Sequence, residues 1–307
     1  MFEVAIVLTK LSFQCALIQL LKKTVSLYRG KLECFCSYEK KLVVLQRMEV
    51  IPIRQAKDGG GIMYKSAIAL KLAPVLQESA MYIATELAKY CREIVNTEGK
   101  KDVVNLHIDV IPSGIIYMKL TDLSIANWLS YLISFPFKDD RQKFQVNFNH
   151  QSCETINLFP IQYSHARCCS LLRMAESDGL ITLVRTNPEN YSQFWFIQTP
   201  NSIPWQKSNG KLQFLHHSEY ELIGQIASTL DYIYCVSTTR KPINWVKVAN
   251  SLNTAFQNFY CQCRIWGEVK VKTPKLAKAR LGLVLVTQSL LRFLLEERLG
   301  GKAPIEL

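Results

Sequence analysis

Apolar residues recur along this chain at two spacings, and the change between them organises it. From about Ser79 to Asn96 they fall three or four apart, with Ile83, Leu87, Tyr90 and Ile94 on one stripe and Lys89 and Arg92 off it, which predicts an amphipathic helix. The spacing then drops to two. Val103 to Val110 alternates, Pro112-Ser113-Gly114 supplies a turn, and Ile115 to Leu120 alternates again, so a β-hairpin is expected. His107 lies within the first of these strands and is assigned no chemistry. Upstream, Val50 to Ile53 has strand character, Asp58-Gly59-Gly60-Gly61 reads as a flexible turn, and Tyr64 to Leu76 has a helical spacing that Pro74 should end or kink. The earliest apolar stretch, Val4 to Leu21, is interrupted by Lys10, Gln14 and Gln19 and lacks a basic leader, so it reads as an ordinary helix rather than a signal peptide or a membrane span.

Thr121-Asp122 can cap a helix over Leu123 to Ile133. Periodicity is then lost through Phe137 to Phe159, the expected domain boundary. Helical patterns dominate the rest of the chain, at about Gln162 to Ser177, Ser218 to Tyr234, Asn244 to Cys261 and Pro274 to Leu299. Between the first two, Ile181 to Gln213 carries three prolines and two tryptophans and reads as an ordered insertion, extended over Gln193 to Ile197. The expected fold class is α+β. Residues 1–48 form a helical segment, 49–136 an N-terminal α/β domain with a small antiparallel sheet, 137–160 a linker, and 161–307 an all-α helical bundle with its insertion at 181–213.

Composition adds charge to this picture. Lys and Arg number 37 against 25 Asp and Glu, a formal net charge of +12, which favours a polyanionic partner such as nucleic acid. The 13 Tyr, 14 Phe and 5 Trp exclude a disordered chain. Ten cysteines occur without a CxxC pair or a histidine at zinc-finger spacing, so no metal site is expected, and thiols on apolar faces suit a reducing cytoplasm.

Three segments, in order, resemble arginine-tRNA ligases. The most specific is Gln162-Tyr163-Ser164-His165-Ala166-Arg167-Cys168-Cys169-Ser170-Leu171-Leu172-Arg173-Met174-Ala175, similar to the family's helix entering the anticodon-binding domain. The second comprises Ala255 to Cys263, Ala279 to Val284 and the terminal Leu299-Gly300-Gly301-Lys302-Ala303-Pro304-Ile305-Glu306-Leu307, similar to a DALR-type anticodon-binding domain. Tyr64 to Leu70 and the Gly114 to Leu120 strand resemble the family's N-terminal domain, which binds the outer corner of tRNA.

Two missing signatures bear on activity. Class I ligases activate their amino acid on a Rossmann-type domain with His-x-Gly-His and Lys-Met-Ser-Lys-Ser signatures, and neither motif occurs here. Residues 137–160 cannot hold such a domain, which needs on the order of 100 residues. No ATP or arginine chemistry and no cofactor are expected. Gly59-Gly60-Gly61 fits neither dinucleotide nor P-loop patterns, and Ser164, His165, Cys168 and Cys169 lack a visible orienting carboxylate, so none is assigned catalysis.

An anticodon loop is single-stranded, best held by aromatic faces for bases and by cations for phosphates. The resemblance implies that Tyr163 and Arg167, four apart and hence on one helical face, contact that loop; a structural role is the alternative. Tyr260 matches a further family aromatic, although its neighbours Phe256 and Phe259 also allow a core role. From Arg264 to Arg280, Lys270, Lys272, Lys275 and Lys278 face a single Glu268, a positive loop suited to phosphates or simply solvated. Leu307 stands where the family usually ends in an RNA-touching methionine, which keeps an apolar contact. Pro160 replaces a family aromatic, where stacking is expected to be lost, and Tyr117 replaces an asparagine that reads a base in the tRNA elbow. The implied partner is tRNA, an arginine tRNA or a tRNA-like fold. The alternatives are a protein partner on a reused anticodon-binding surface and an arginine-tRNA ligase completed in trans.

Overall fold

The structure, a computed structural model, describes residues 10–33, 50–56, 61–98, 105–135, 137, 157–186, 194–235 and 242–307. The chain divides into two compact units, one of Met1–Trp128 with Leu230–Pro242, the other of Leu129–Thr229 with Ile243–Leu307. Most of the expected linker at 137–160, and the Asp58 to Gly60 part of the glycine turn, lie outside the described residues.

The first unit contains helix α1 (Phe13–Glu33), strands β1 (Ile53–Ala56) and β2 (Met63–Ser66), helices α2 (Ile68–Leu76) and α3 (Ala80–Glu98), strands β3 (Leu106–Val110) and β4 (Ile116–Leu120), and the start of α4 (Asp122–Ser134). The strands form one antiparallel sheet in the order β1-β2-β4-β3. Alternation sorts the two faces. Ile116, Met118 and Leu120 of β4 are buried while Tyr117 and Lys119 point the other way. On α3, Ile83, Leu87, Cys91 and Ile94 are buried at helical intervals, the stripe that the apolar spacing predicts. Gly114 turns the expected hairpin at φ +80°, and a Cβ there would run into the backbone of Ala80, so only glycine lets the turn pack on the start of α3.

Two expectations change here. Tyr64 belongs to β2 rather than to a helix, because Ile62, Tyr64 and Ser66 are buried and Met63 and Lys65 are not, a period of two. Pro74 lies inside α2 and does not end it; the helix stops at Leu76, where Gln77 turns left-handed at φ 57°. The Thr121 hydroxyl accepts the Ser124 N–H at 3.3 Å and caps α4 as expected.

The second unit is helical, with α5 (Phe159–Ser177), most of α6 (His217–Tyr234), α7 (Trp245–Gln262), the short α8 (Glu268–Lys272) and α9 (Pro274–Phe293), which continues as a π-helical turn over Leu294–Arg298. The expected insertion holds a hairpin, β5 (Thr182–Thr186) on β6 (Phe194–Thr199); its first strand was not anticipated. Helix α9 is buried on nearly every side, so it forms the axis of the unit. Gly282 lets Trp205 reach that axis, since a Cβ would overlap the indole ring. The polar groups of α9 have partners: Arg280 with Glu219, Gln288 with His165, and Arg292 with the Phe137 carbonyl at 3.2 Å. No helix among the described residues is long and apolar enough to cross a membrane.

Candidate nucleic-acid interface

Helix α5 buries Ile161, Ser164, His165, Cys168, Cys169, Leu171, Leu172 and Ala175, which leaves an outer stripe of Phe159, Tyr163, Arg167 and Met174. At 100° per residue these four fall within one quadrant of the helix. Phe159 is 58% exposed and Tyr163 44%, with ring centroids 6.4 Å apart, so two aromatic faces stand side by side in solvent. Aromatic surface of this size is normally buried; on one helical stripe it forms a platform on which bases could stack.

Helix α7 borders the stripe on one side. Ser164 donates to Asn253 Oδ1 and accepts from Gln257 Nε2, both at 2.5 Å, fixing the two helices in register. That register brings the Arg167 guanidinium over the Tyr260 ring at 4.9 Å from its centroid, and Tyr260 stacks on the buried Phe256 at 6.3 Å. The Nε of Arg167 is buried without a hydrogen-bond partner, and no carboxylate pairs with this residue, among the described residues. An oriented cation with unused donors suits a phosphate or a base edge.

The C-terminal segment runs along the other side of α5. Gln162 Nε2 donates to the Lys302 carbonyl at 3.0 Å, and Arg173 reaches the Ile305 carbonyl at 3.2 Å and Glu306 at 3.3 Å. His165 Nδ1 lies 2.8 Å from the Pro304 carbonyl and its Nε2 2.9 Å from Gln288 Nε2. An imidazole that donates through Nδ1 to a carbonyl and accepts from an amide at Nε2 is neutral, and burial pushes its pKa down to about 4. Burial likewise pushes the Cys169 thiol up to about 12 and Cys168 well up. Ser164 and His165 are thus engaged in hydrogen bonds within the unit, and both cysteines are buried. The strapped segment leaves Leu307 67% exposed beyond Glu306.

The run from Arg264 to Arg280 is not a loop. It holds α8 and the first turns of α9, and its cations differ in commitment. Lys270 pairs with Asp178 at 2.9 Å and Lys272 with Glu268 at 3.1 Å. Arg264 and Lys275 are exposed and Lys278 is half-buried, and none of the three pairs with a carboxylate among the described residues. Arg280 departs from the expectation of RNA contact. It is 7% exposed, its Nε bonds Glu219 at 2.6 Å, and it donates to the Arg264 carbonyl, so its charge is used inside the unit.

Comparison with known proteins bears on the same region. The family model described as the DALR anticodon binding domain matches residues 161–300. The chain is also 29% identical over 166 residues to the arginine–tRNA ligase of Moorella thermoacetica, covering 54% of this chain and 25% of that protein. It is 29% identical over 144 residues to that of a Synechococcus species (47% and 21%) and 30% identical over 159 residues to that of Pelodictyon phaeoclathratiforme (50% and 24%). The chain thus spans about a quarter of the length of the curated relatives it matches.

The matched residues include Tyr163, Arg167, Tyr260, Arg264 and the lysines, while Leu307 lies just past them. Tyr117 belongs to the first unit. There it sits on the outer sheet face, paired across strands with Lys65 and Asp109, beside a second row in which Lys119 pairs with Met63 and His107. Arg54 pairs with Lys65 and extends the first row. That face is basic, with one half-buried tyrosine among its cations. Two residues escaped the sequence reading. Phe159 occupies the turn before Tyr163, so an exposed aromatic is present beside Pro160 where stacking was expected to be lost. Asp178, which caps α5, holds the basic segment; its sequence signal was only an acid following a helix.

Proposed function

We propose that this chain is a non-catalytic tRNA-binding protein whose DALR domain grips the anticodon loop along α5. In this reading Phe159 and Tyr163 stack on unpaired bases, and Arg167, steadied by Tyr260, contacts a phosphate or base edge. Arg264, Lys275 and Lys278 neutralise neighbouring phosphates, with Lys270 and Lys272 as further cations of the same surface, and Leu307 offers an apolar contact at its margin. The outer sheet face around Tyr117, Lys65 and Lys119 forms a second contact with RNA. An arginine tRNA is the proposed ligand, because the relatives are named arginine–tRNA ligases. Binding is uncoupled from ATP and arginine, since the chain carries neither class I signature.

The observation that carries this reading is the exposed stripe of Phe159, Tyr163 and Arg167 on a DALR domain, where aromatic faces and an unpaired guanidinium meet on one helical face. Titration of bulk tRNA at two salt concentrations tests it. Binding should weaken as salt rises, with a log-log slope of about 0.7 per phosphate contacted on single-stranded RNA. No binding at low salt, or arginine-dependent pyrophosphate exchange by the purified chain, contradicts the proposal.

A further inference from the structure

Helix α8 has only five residues, none of them buried, and it follows Gly267, whose φ of 69° suits glycine. Hydrophobic packing of its own side chains does little to hold such a segment. Among the described residues its side-chain bonds to the body of the unit run through one carboxylate: Asp178 Oδ2 accepts the Trp266 indole N–H at 2.8 Å and the Lys270 ammonium at 2.9 Å. These two donors hold the Asp178 carboxyl below the usual carboxylate range, Lys270 more than Trp266. Asp178 follows directly on α5, its own N–H bonded to the Met174 carbonyl at 3.0 Å, so the anchor is rigid with respect to the helix that carries Tyr163 and Arg167.

We infer that Asp178 is a positioning residue for RNA binding, an acid that strengthens the affinity of a basic surface by fixing α8 and its lysines relative to α5. The inference rests on the RNA-binding reading above. Its consequence has an unusual sign. Removing a negative charge from a phosphate-binding surface should tighten binding by simple electrostatics. If Asp178 positions the segment, its removal instead releases Trp266 and Lys270 and spreads Lys270 and Lys272 of α8 over many conformations, and binding weakens.

The test compares Asp178→Ala and Asp178→Glu with the wild-type chain, by tRNA titration at fixed salt and by acrylamide quenching of tryptophan emission, with Trp266→Phe supplying the background of the other tryptophans. Asp178→Ala should bind tRNA about two- to ten-fold more weakly, the range for losing one or two partly exposed charged contacts, and Trp266 should become more accessible to acrylamide. Asp178→Glu should recover part of the affinity, and the melting temperature should hold steady, which separates positioning from loss of fold. Equal or tighter tRNA binding by Asp178→Ala, with the wild type binding normally, overturns the inference alone. A wild-type chain that fails to bind tRNA overturns the RNA-binding reading and this inference with it.

Discussion

The guanidinium of Arg167 lies over Tyr260 with its carbon 4.9 Å from the ring centroid, and the same ring is backed by Phe256. A lysine at this position would keep the charge but lose the guanidinium's contact with the ring and its fork of donors. Arg167→Lys should therefore weaken binding of an anticodon stem-loop by about 1 kcal/mol, most of the loss caused by Arg167→Ala. Retained wild-type affinity in Arg167→Lys would mean that charge alone matters there.

Arg280 should behave in the opposite way. Its pairing with Glu219 is interior, and removing one partner of a buried pair typically costs about 3–5 kcal/mol because the other charge is left uncompensated. Glu219 also accepts the N–H groups of Leu215 and His216, so the loss extends to the start of α6. Arg280→Ala should lower the denaturation midpoint strongly, whereas Lys275→Ala should leave it unchanged. A stable Arg280→Ala with weakened RNA binding would restore Arg280 to the interface.

Acidification should move the two units in opposite directions. In the first unit Asp231 is buried and accepts from Ser12 at 2.7 Å, Tyr64 at 2.5 Å and the Gln14 N–H at 3.1 Å; burial nevertheless raises its pKa from 3.8 to about 6. Between those values the folded state keeps a proton that the unfolded state has released, so stability falls as pH rises from about 4 to about 6, by roughly 3 kcal/mol in total. In the second unit His165 is lowered from 6.5 to about 4. There the unfolded state holds the extra proton, so stability falls by a similar amount, about 3 kcal/mol, as pH drops through that window. Thermal unfolding at pH 7 and pH 5 should show wild type gaining on Asp231→Asn upon acidification and losing ground to His165→Gln. Parallel pH profiles for wild type and both variants would refute both assignments.

The long helices were legible because their apolar spacing persists over four or five turns, as in α3 and α5, where a few substitutions do not erase the period. Short elements were not. Strand β2 has four residues, and Tyr64 with Ile68 and Leu72 fits a helical stripe as well as a strand. Strand β5 was hidden inside an insertion for the same reason. At the candidate site, Tyr163 and Arg167 were readable from one helical segment, but the commitment of a cation was not. Arg280 lies among surface lysines in sequence, and its partner Glu219 is 61 positions away. Asp178 and Lys270 are 92 positions apart, so only the folded chain reveals that one acid organises the basic segment.

The affinity of Tyr163→Ala and Tyr163→Phe for tRNA, taken together with their melting temperatures, decides whether the outer face of α5 holds an anticodon loop. Tyr163 is exposed and adjoins Phe159, so its ring contributes little to the core and offers a face to a base. Tyr163→Ala should bind about 1–3 kcal/mol more weakly, Tyr163→Phe should bind almost as the wild type does, and neither should melt differently. A Tyr163→Ala chain that melts several degrees lower yet binds tRNA with undiminished affinity would make Tyr163 a packing residue and would contradict an anticodon-binding role for the outer face of α5.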